Sequence, residues 1–396
     1  MTQAHKHPSA PTAPRGNVLL ASLMLPGLAV LAAALPAGQA SAETPPEKTT
    51  IAVKYSNYQD SQSGWTRVSV DAPQFYILAP VGSDWSVEGS AVVDSVSGAS
   101  PRMHTQRSGA SVMSDERTAA DVKVTRYLGR TAVAASVAIS DEHDYQSRAV
   151  GLQGRWSSDD NNRTWTAGVG LSRDKIDNQS NGVNTAINQR KNVHEIMGGL
   201  TQVLSPVDIA QFNLTRSMGS GYYNDPYKTF DQRPDKRDAW IALVRWNHHL
   251  KGMDATARTS YRYYSDTFGV RSHTTDLELV KTVGAWTFTP GLRYYTQSAA
   301  KFYFNPVLDS QGRYLELETF QRASAISGDR SADQRLAAFG ALTLSLKASY
   351  AFNPATSADL KLDLYRQATS LRLGGGSPGL DPMNARVIQV GLTHKF

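Results

Sequence analysis

The stretch LTLSLKASYAFNPATSADLKLDLYR, residues 342–366, decides the fold. Leu342, Leu344, Leu346, Ala348, Tyr350 and Phe352 fall on one face of an extended chain, and Thr343, Ser345, Lys347 and Ser349 on the other. Successive side chains of a strand point to opposite faces, so this is a strand with one apolar and one polar side. Asn353-Pro354-Ala355 supplies a turn, and Leu360, Leu362 and Leu364 then resume the alternation against Lys361, Asp363 and Tyr365. A soluble sandwich alternates similarly, but its strands run to about five or six residues. Longer runs suit a tilted bilayer crossing, with apolar side chains toward lipid and polar ones toward a lumen.

The same period extends back to Thr49 and forward to the last residue. It predicts strands over 49–57, 65–80, 84–95, 118–129, 131–141, 146–157, 163–174, 191–204, 208–219, 237–249, 254–267, 270–282, 285–298, 336–352, 357–370 and 384–396, with a bulge expected at Pro73 in the second and a further pairing within 96–117 left open. That count of sixteen is even, as a closed single-chain bacterial barrel requires. Tight links (Pro80 to Asp84, Leu204 to Asp208, Leu250 to Asp254, Phe352 to Thr356) take turns with long ones at 96–117, 175–190, 220–236, 299–335 and 371–383. Short periplasmic turns and long external loops produce this arrangement, and both termini then lie on the periplasmic side. The expected fold is a closed antiparallel transmembrane β-barrel of about 16 strands.

Composition agrees. Among 396 residues there is no cysteine, which excludes disulfides, thiolate metal sites and a cysteine nucleophile. Mean hydropathy is −0.38 and only the N-terminus carries a long apolar run, so a bundle of membrane helices is excluded. That N-terminus reads as a cleaved signal: Lys6 and Arg15, an apolar run from Val18 to Leu35, then Ala40-Ser41-Ala42. A membrane anchor is the rival reading, opposed by Pro26, Gly27 and Pro36. Residues 1–42 are therefore expected to be removed and 43–396 to form one barrel domain, lowering the formal charge from +6 to +4. Such a mild imbalance, without a basic run, gives no footprint for nucleic acid.

Trp85, Trp156, Trp165, Trp240, Trp246, Trp286, Tyr261, Tyr263, Tyr294, Tyr350 and Phe352 stand near strand ends, where an interfacial girdle belongs. The chain closes on Ile388, Val390, Leu392, His394 and Phe396, which resembles the terminal strand by which the outer-membrane assembly machinery recognises barrels. On the polar faces, Glu88, Lys123, Arg155, Arg245, Arg258, Arg262, Arg293, Lys361 and Asp363 are expected to line the lumen. Basic residues outnumber acids there, which favours an anionic solute modestly; the plainer alternative is that Arg and acid pairs brace the wall. The long stretch from Ala299 to Arg335 is the candidate for an inward-folded constriction.

Motifs of chemistry are missing: there is no GxxxxGK[ST], HExxH or GxSxG, and no catalytic, metal or cofactor residue is assigned. His248-His249 point to opposite faces of a strand and cannot chelate one ion together. His143, Asp144, His273 and Asp266 fall at the external rim, where a hydrolytic group is conceivable but solvated histidine is commoner.

The strings DSVSGASP (94–101), DEHDYQS (141–147), GYYNDPYK (221–228), RPDKR (233–237), YRYYSDTFGVRSHT (261–274) and LRYYTQSAAKFY (292–303) resemble a family of uncharacterised proteobacterial outer-membrane proteins, a domain of unknown function. The resemblance implies a Gram-negative outer-membrane barrel without an assigned activity. It also implies a gene neighbourhood with a small lipoprotein, a thioredoxin-like protein and an FAD:protein FMN transferase. All six strings map to the external end. Asp141, Asp144, Tyr145, Asp225, Tyr227, Arg233, Arg237, Tyr264, Asp266, Arg271, His273 and Tyr295 are thus expected to form a charged and aromatic collar at the outer mouth. The collar serves either to fix loop conformation or to recognise a solute. The expected function is a porin-like channel or transporter for a small polar or anionic solute; the alternative is a scaffold barrel hosting a periplasmic lipoprotein or a redox, flavin-linked partner. Expected partners are the lipid bilayer, lipopolysaccharide and the assembly machinery.

Overall fold

Backbone groups inside hydrocarbon have no water to bond, so a sheet can cross a membrane only if it has no edge. This chain meets the condition by closure. A computed structural model describes residues 43–62, 65–100, 111–178 and 185–396. The signal-peptide expectation for residues 1–42 lies outside them.

Thirteen strands come first: β1 (Thr50–Gln62), β2 (Trp65–Val81), β3 (Trp85–Ser100), β4 (Ser111–Leu128), β5 (Thr131–Asp141), β6 (Tyr145–Ser157), β7 (Arg163–Asn178), β8 (Ala186–Ser205), β9 (Asp208–Gly221), β10 (Lys236–Leu250), β11 (Ala255–Asp266), β12 (Arg271–Val283) and β13 (Trp286–Gln297). A small hairpin, β14 (Val307–Leu308) with β15 (Tyr314–Leu315), and helix α1 (Glu316–Ala325) follow. The chain then returns to the wall as β16 (Phe339–Ala351), β17 (Thr356–Ala368) and β18 (Met383–Lys395). Sixteen strands form the closed antiparallel wall, β13 pairing with β16 and β18 with β1. The closing seam is continuous from Thr50↔Lys395 to Gln62↔Met383.

The wall follows the alternation read from the sequence. Leu344, Leu346, Leu360, Leu362, Ile388 and Val390 are exposed on the outward face, while Lys347, Lys361, Asp363 and Gln389 are buried inward. Rings at the tight-turn end form one belt: Trp286 meets Tyr350 at 4.8 Å, and Tyr350 meets Phe352 at 5.1 Å. Trp85, Trp156, Trp165 and Trp246 are exposed at the same end, with Tyr55, Trp240 and Tyr261 toward the other. An apolar band between aromatic belts is the surface of a protein that crosses a bilayer on strands.

The external stretches carry more regular structure than loops. β3 and β4 run on into 96–117, the further pairing left open by the sequence, and β7 and β8 into 175–190. Above the membrane both faces of a hairpin are wet, so its hydrophobic alternation fades although the ladder continues. The stretch 299–335 carries the β14–β15 hairpin and α1 instead of irregular chain. The register passes Pro73 unbroken and the irregularity of β2 lies instead opposite Asp60 and Ser61, so the expected Pro73 bulge is not formed.

Lipid-facing charge near the bilayer midplane costs about 2–4 kcal/mol. Leu344→Arg is therefore expected to lower barrel stability by that amount in urea titrations in liposomes. The inward neighbour Thr343→Arg, which meets the lumen instead of lipid, is expected to cost less.

Candidate functional site

The outer mouth is covered by chain from three connections. At Gly221, β9 leaves the wall with φ of +120°, and an added Cβ would lie 2.1 Å from the Arg190 carbonyl, so the departure needs glycine. Residues 222–235 then meet the long insertion 298–338. Gln232 and Arg330 exchange two backbone hydrogen bonds at 2.8 Å each. The β17–β18 connection joins them: the Ser377 amide donates to the Ala338 carbonyl (2.8 Å), and the Ala338 amide to Ser377 Oγ (2.9 Å). Gly379 sits so close to Pro306 that an added Cβ would lie 2.4 Å from its ring.

This lid enters the lumen. Ala300 and Leu336 are buried with Phe268 and Val270 against the inward-facing Ala239 of β10 and Tyr264 of β11, and Ile241, Phe302 and Tyr303 pack beside them. The segment thus reaches below the rim, and the apolar contact fixes its position.

The polar core of the lid is built from one tripeptide used twice. Asp231-Gln232-Arg233 and Asp333-Gln334-Arg335 face each other. Arg233 grips Asp231 in a fork (2.7 and 2.8 Å) and reaches across to Asp333 Oδ2 at 2.8 Å. Arg335 holds its own Asp333 and reaches back to Asp225. Ser331 donates to Asp231 (2.5 Å), and the buried Lys228 Nζ donates to Gln334 Oε1 (3.1 Å). Three carboxylates and three cations make the cluster neutral overall, which is how charge is kept in a buried place.

Burial opposes ionisation of Asp333, yet Arg335, Arg233 and Lys228 around it hold its carboxyl well below the usual carboxylate range. The charge of Asp333 raises Arg335 further above its ordinary value. Burial lowers Lys228 and raises Asp231 despite their partners. Arg335 is 62% accessible, so part of its guanidinium stays open to water. It and Lys228 both lie near enough to feel the charge of Arg67 on β2, across the barrel from β9 and β10. The lock thus lies within electrostatic reach of the β2 side of the mouth.

Most of the expected collar falls into four groups. Asp225 and Arg233 belong to the lock. Asp144 accepts from Tyr227, and Tyr145 donates to Asp174 (2.6 Å) while taking a bond from Lys191 (3.0 Å). Asp266 collects Arg237 (2.8 Å), Tyr264 (2.8 Å) and the Val270 amide (2.9 Å). Tyr295 donates to Gln297 (2.6 Å), whose Nε2 donates to the Arg335 and Ala337 carbonyls and ties the insertion to the wall. Three residues face away from the mouth. Asp141 shares the outward face of Val137 and Ile139 and pairs with Arg148 at 2.8 Å. Arg271 and His273 share the outward face of Leu277, with Tyr261 Oη 2.7 Å from His273 Nδ1. The rim constellation of His143, Asp144, His273 and Asp266 is thus divided between the two sides of the wall. Asp333, Arg335, Asp231 and Lys228 were absent from the expected collar, although the repeated Asp-Gln-Arg marks the lock in the sequence.

Below the lid the expected lumen residues face inward, mostly paired. Glu88 meets Lys123, Arg155 meets Glu43 (2.8 Å), and Lys361 meets Asp363 (2.7 Å). Arg293 meets Asp276, and Arg258 meets Glu278 at 4.0 Å. Arg245 reaches Gln211 at 3.5 Å, and Arg262 lies 5.4 Å over the Tyr264 ring. The inward faces also carry Asp121, Asp174, Glu195, Asp276 and Asp359, so basic and acidic residues come closer to balance than the sequence list indicated. The remaining excess is local. Arg245, Arg258, Arg262 and Arg293 crowd the β10–β13 wall with only Asp276 and Glu278 among them.

A closed antiparallel wall of sixteen strands, apolar outside and charged within, defines an outer-membrane β-barrel. The chain belongs to the family described as Protein of unknown function (DUF3570), whose model matches residues 16–112 and 107–382. No curated protein matches it. Similar solved structures include a bacterial polysaccharide outer membrane secretin, at 10% identity over 88% of this chain and 98% of that one (TM-score 0.48). The siderophore receptor PirA from Pseudomonas aeruginosa matches at 10% over 89% and 81% (TM-score 0.44). OccK2 (OpdF) from Pseudomonas aeruginosa matches at 9% over 88% and 98% (TM-score 0.44).

Removing Asp333 takes the shared carboxylate from Arg233 and Arg335 and leaves the lock with a net positive charge, a loss of about 3–5 kcal/mol for a buried network. Asp333→Ala is expected to raise hydrogen exchange in residues 298–338 by about 100-fold or more, with the wall amides unchanged. Because the folded Asp333 carboxyl lies below its ordinary value near 3.8, its contribution is full above that pH and falls as acid titrates the folded group. Limited proteolysis of the lid is expected to begin at lower pH in the wild type than in Asp333→Asn.

Proposed function

We propose that the protein is an outer-membrane channel or transporter for a small polar, preferably anionic, solute, and that the structure is its closed form. The observation that carries this is the β10–β13 wall. By register Arg258 lies in one inward row, Arg245 and Arg293 share the next through Ser260 and Asp276, and Arg262 lies in the row above, two residues below Tyr264 of the lid's seat; Arg293 is 56% accessible. Four guanidinium groups in three successive rows with two carboxylates give an entering anion a graded series of partners, and a cation a barrier. Opening requires the lock to separate while the wall stays closed.

A second reading, a scaffold barrel for a periplasmic lipoprotein or a flavin-linked partner, is favoured by one feature. Glu43 pairs with Arg155 on β6, although the chain enters the wall at Thr50 of β1, five strands away. Residues 44–49 therefore run across the periplasmic opening and narrow it.

Planar-bilayer recording separates the two. The channel reading expects low wild-type conductance, at least tenfold higher conductance in Asp333→Ala, and anion over cation permeability. Arg245→Glu with Arg262→Glu is expected to invert that preference. A folded Asp333→Ala barrel with no flux of either sign would leave the scaffold reading in place.

A further inference from the structure

On the lipid-facing side of β6, β7 and β8, the register sets positive charges against one another. Arg148 of β6 lies directly opposite Arg173 of β7. Two residues further out, Lys175 of β7 lies directly opposite Arg190 of β8. All four share the outward face with Val150, Leu152, Leu171 and Ile196 and stand just beyond that apolar band, at the external side. Like charges directly opposed across a ladder are destabilising, so this arrangement costs stability in the protein alone.

The protein's own carboxylates answer only part of it. Asp141 takes Arg148 at 2.8 Å, and Asp177 takes Lys175 at 3.3 Å. Arg173 donates through Nε to the neutral Asn192 at 3.3 Å. Among the described residues neither Arg173 nor Arg190 has an ion-pair partner. By contrast Arg216, outward on the adjacent β9, pairs with Asp238 at 2.8 Å and lies 5.0 Å over the Trp240 ring.

We propose that Arg148, Arg173, Lys175 and Arg190 form a docking site for the phosphorylated headgroup of the outer-leaflet glycolipid, lipopolysaccharide, with Arg173 and Arg190 as its principal phosphate ligands. The level is that of outer-leaflet headgroups, because the patch borders the apolar band on the side of the long connections. The size fits: neighbouring strands stand about 4.8 Å apart and successive outward rows about 7 Å, so two forks reach one phosphate from adjacent strands. Guanidinium forks bind phosphate oxygens in pairs, which suits the ligand better than a carboxylate. Bound phosphate removes the like-charge repulsion, so lipid and barrel stabilise each other. The site is independent of solute passage through the lumen.

The test uses the full barrel, stripped of lipid and refolded in detergent, titrated with bisphosphorylated lipid A, with the same lipid after dephosphorylation, and with inorganic phosphate. The expected result is binding of the bisphosphorylated lipid at least tenfold tighter than the dephosphorylated one, with no displacement by millimolar phosphate. Arg173→Ala with Arg190→Ala is expected to lose that tenfold, and Arg173→Lys to keep part of it; heat-modified electrophoretic mobility confirms folded barrels. Equal affinity for dephosphorylated lipid A overturns the proposal using wild-type protein alone, whatever the variants do. Unchanged affinity in a folded double variant also overturns it, and displacement by free phosphate would assign the site to the anion instead of the lipid.

Discussion

Every backbone amide in the hydrocarbon must find a protein partner, and the pairing of β1 with β18 is what completes that condition. With the seam closed, strand parity decides the rest of the wall. Each residue faces either lipid or lumen, and a slip of one residue would exchange the two sets. The continuous registers through β16, β17 and β18 hold Leu344, Leu362 and Ile388 outward and Lys347, Lys361 and Gln389 inward. The lumen can carry many ionised groups because the membrane never meets them.

The lid answers to a different constraint. Its chain has no ladder to join and must build its own core, which it does twice over. Phe268, Leu336 and Ala300 supply an apolar seat inside the rim, and the two Asp-Gln-Arg tripeptides supply a polar clasp above it. The apolar seat tolerates small shifts, whereas the clasp depends on every partner being present, since each lost charge strands another. That asymmetry makes the clasp the natural point of release. Arg245 of β10 and Arg262 of β11, which have no ion-pair partner among the described residues, lie deeper in the same wall, so release would expose them to solute from outside.

All sixteen wall strands were legible in the sequence, because a membrane barrel imposes period 2 over long runs and turn chemistry at one end. The alternation in 342–352 and 360–364 shows this directly. What escaped was structure outside the membrane. The outer halves of β3, β4, β7 and β8 carry polar residues on both faces and lose the period, and α1 is a short helix whose buried positions are only Thr319 and Ala323. Most collar residues were legible as a charged and aromatic set at one end, but not which of them face inward. Asp141, Arg271 and His273 have outward parity that depends on register, and register is set across strands. The lock joins residues about a hundred positions apart, such as Arg233 and Asp333, so no local pattern could pair them.

The central claim is that two external loops clasp each other to close the lumen and must part for it to conduct. Gln232 and Arg330 form a doubly hydrogen-bonded antiparallel pair, a geometry whose Cα separation of about 5.5 Å accepts a disulfide. The chain has no cysteine of its own, so Gln232→Cys with Arg330→Cys gives one defined crosslink. The most direct measurement is the conductance of that variant, carrying Asp333→Ala as well, before and after reduction. The account predicts a closed channel when oxidised and at least a tenfold rise on reduction; equal conductance in both states would contradict it.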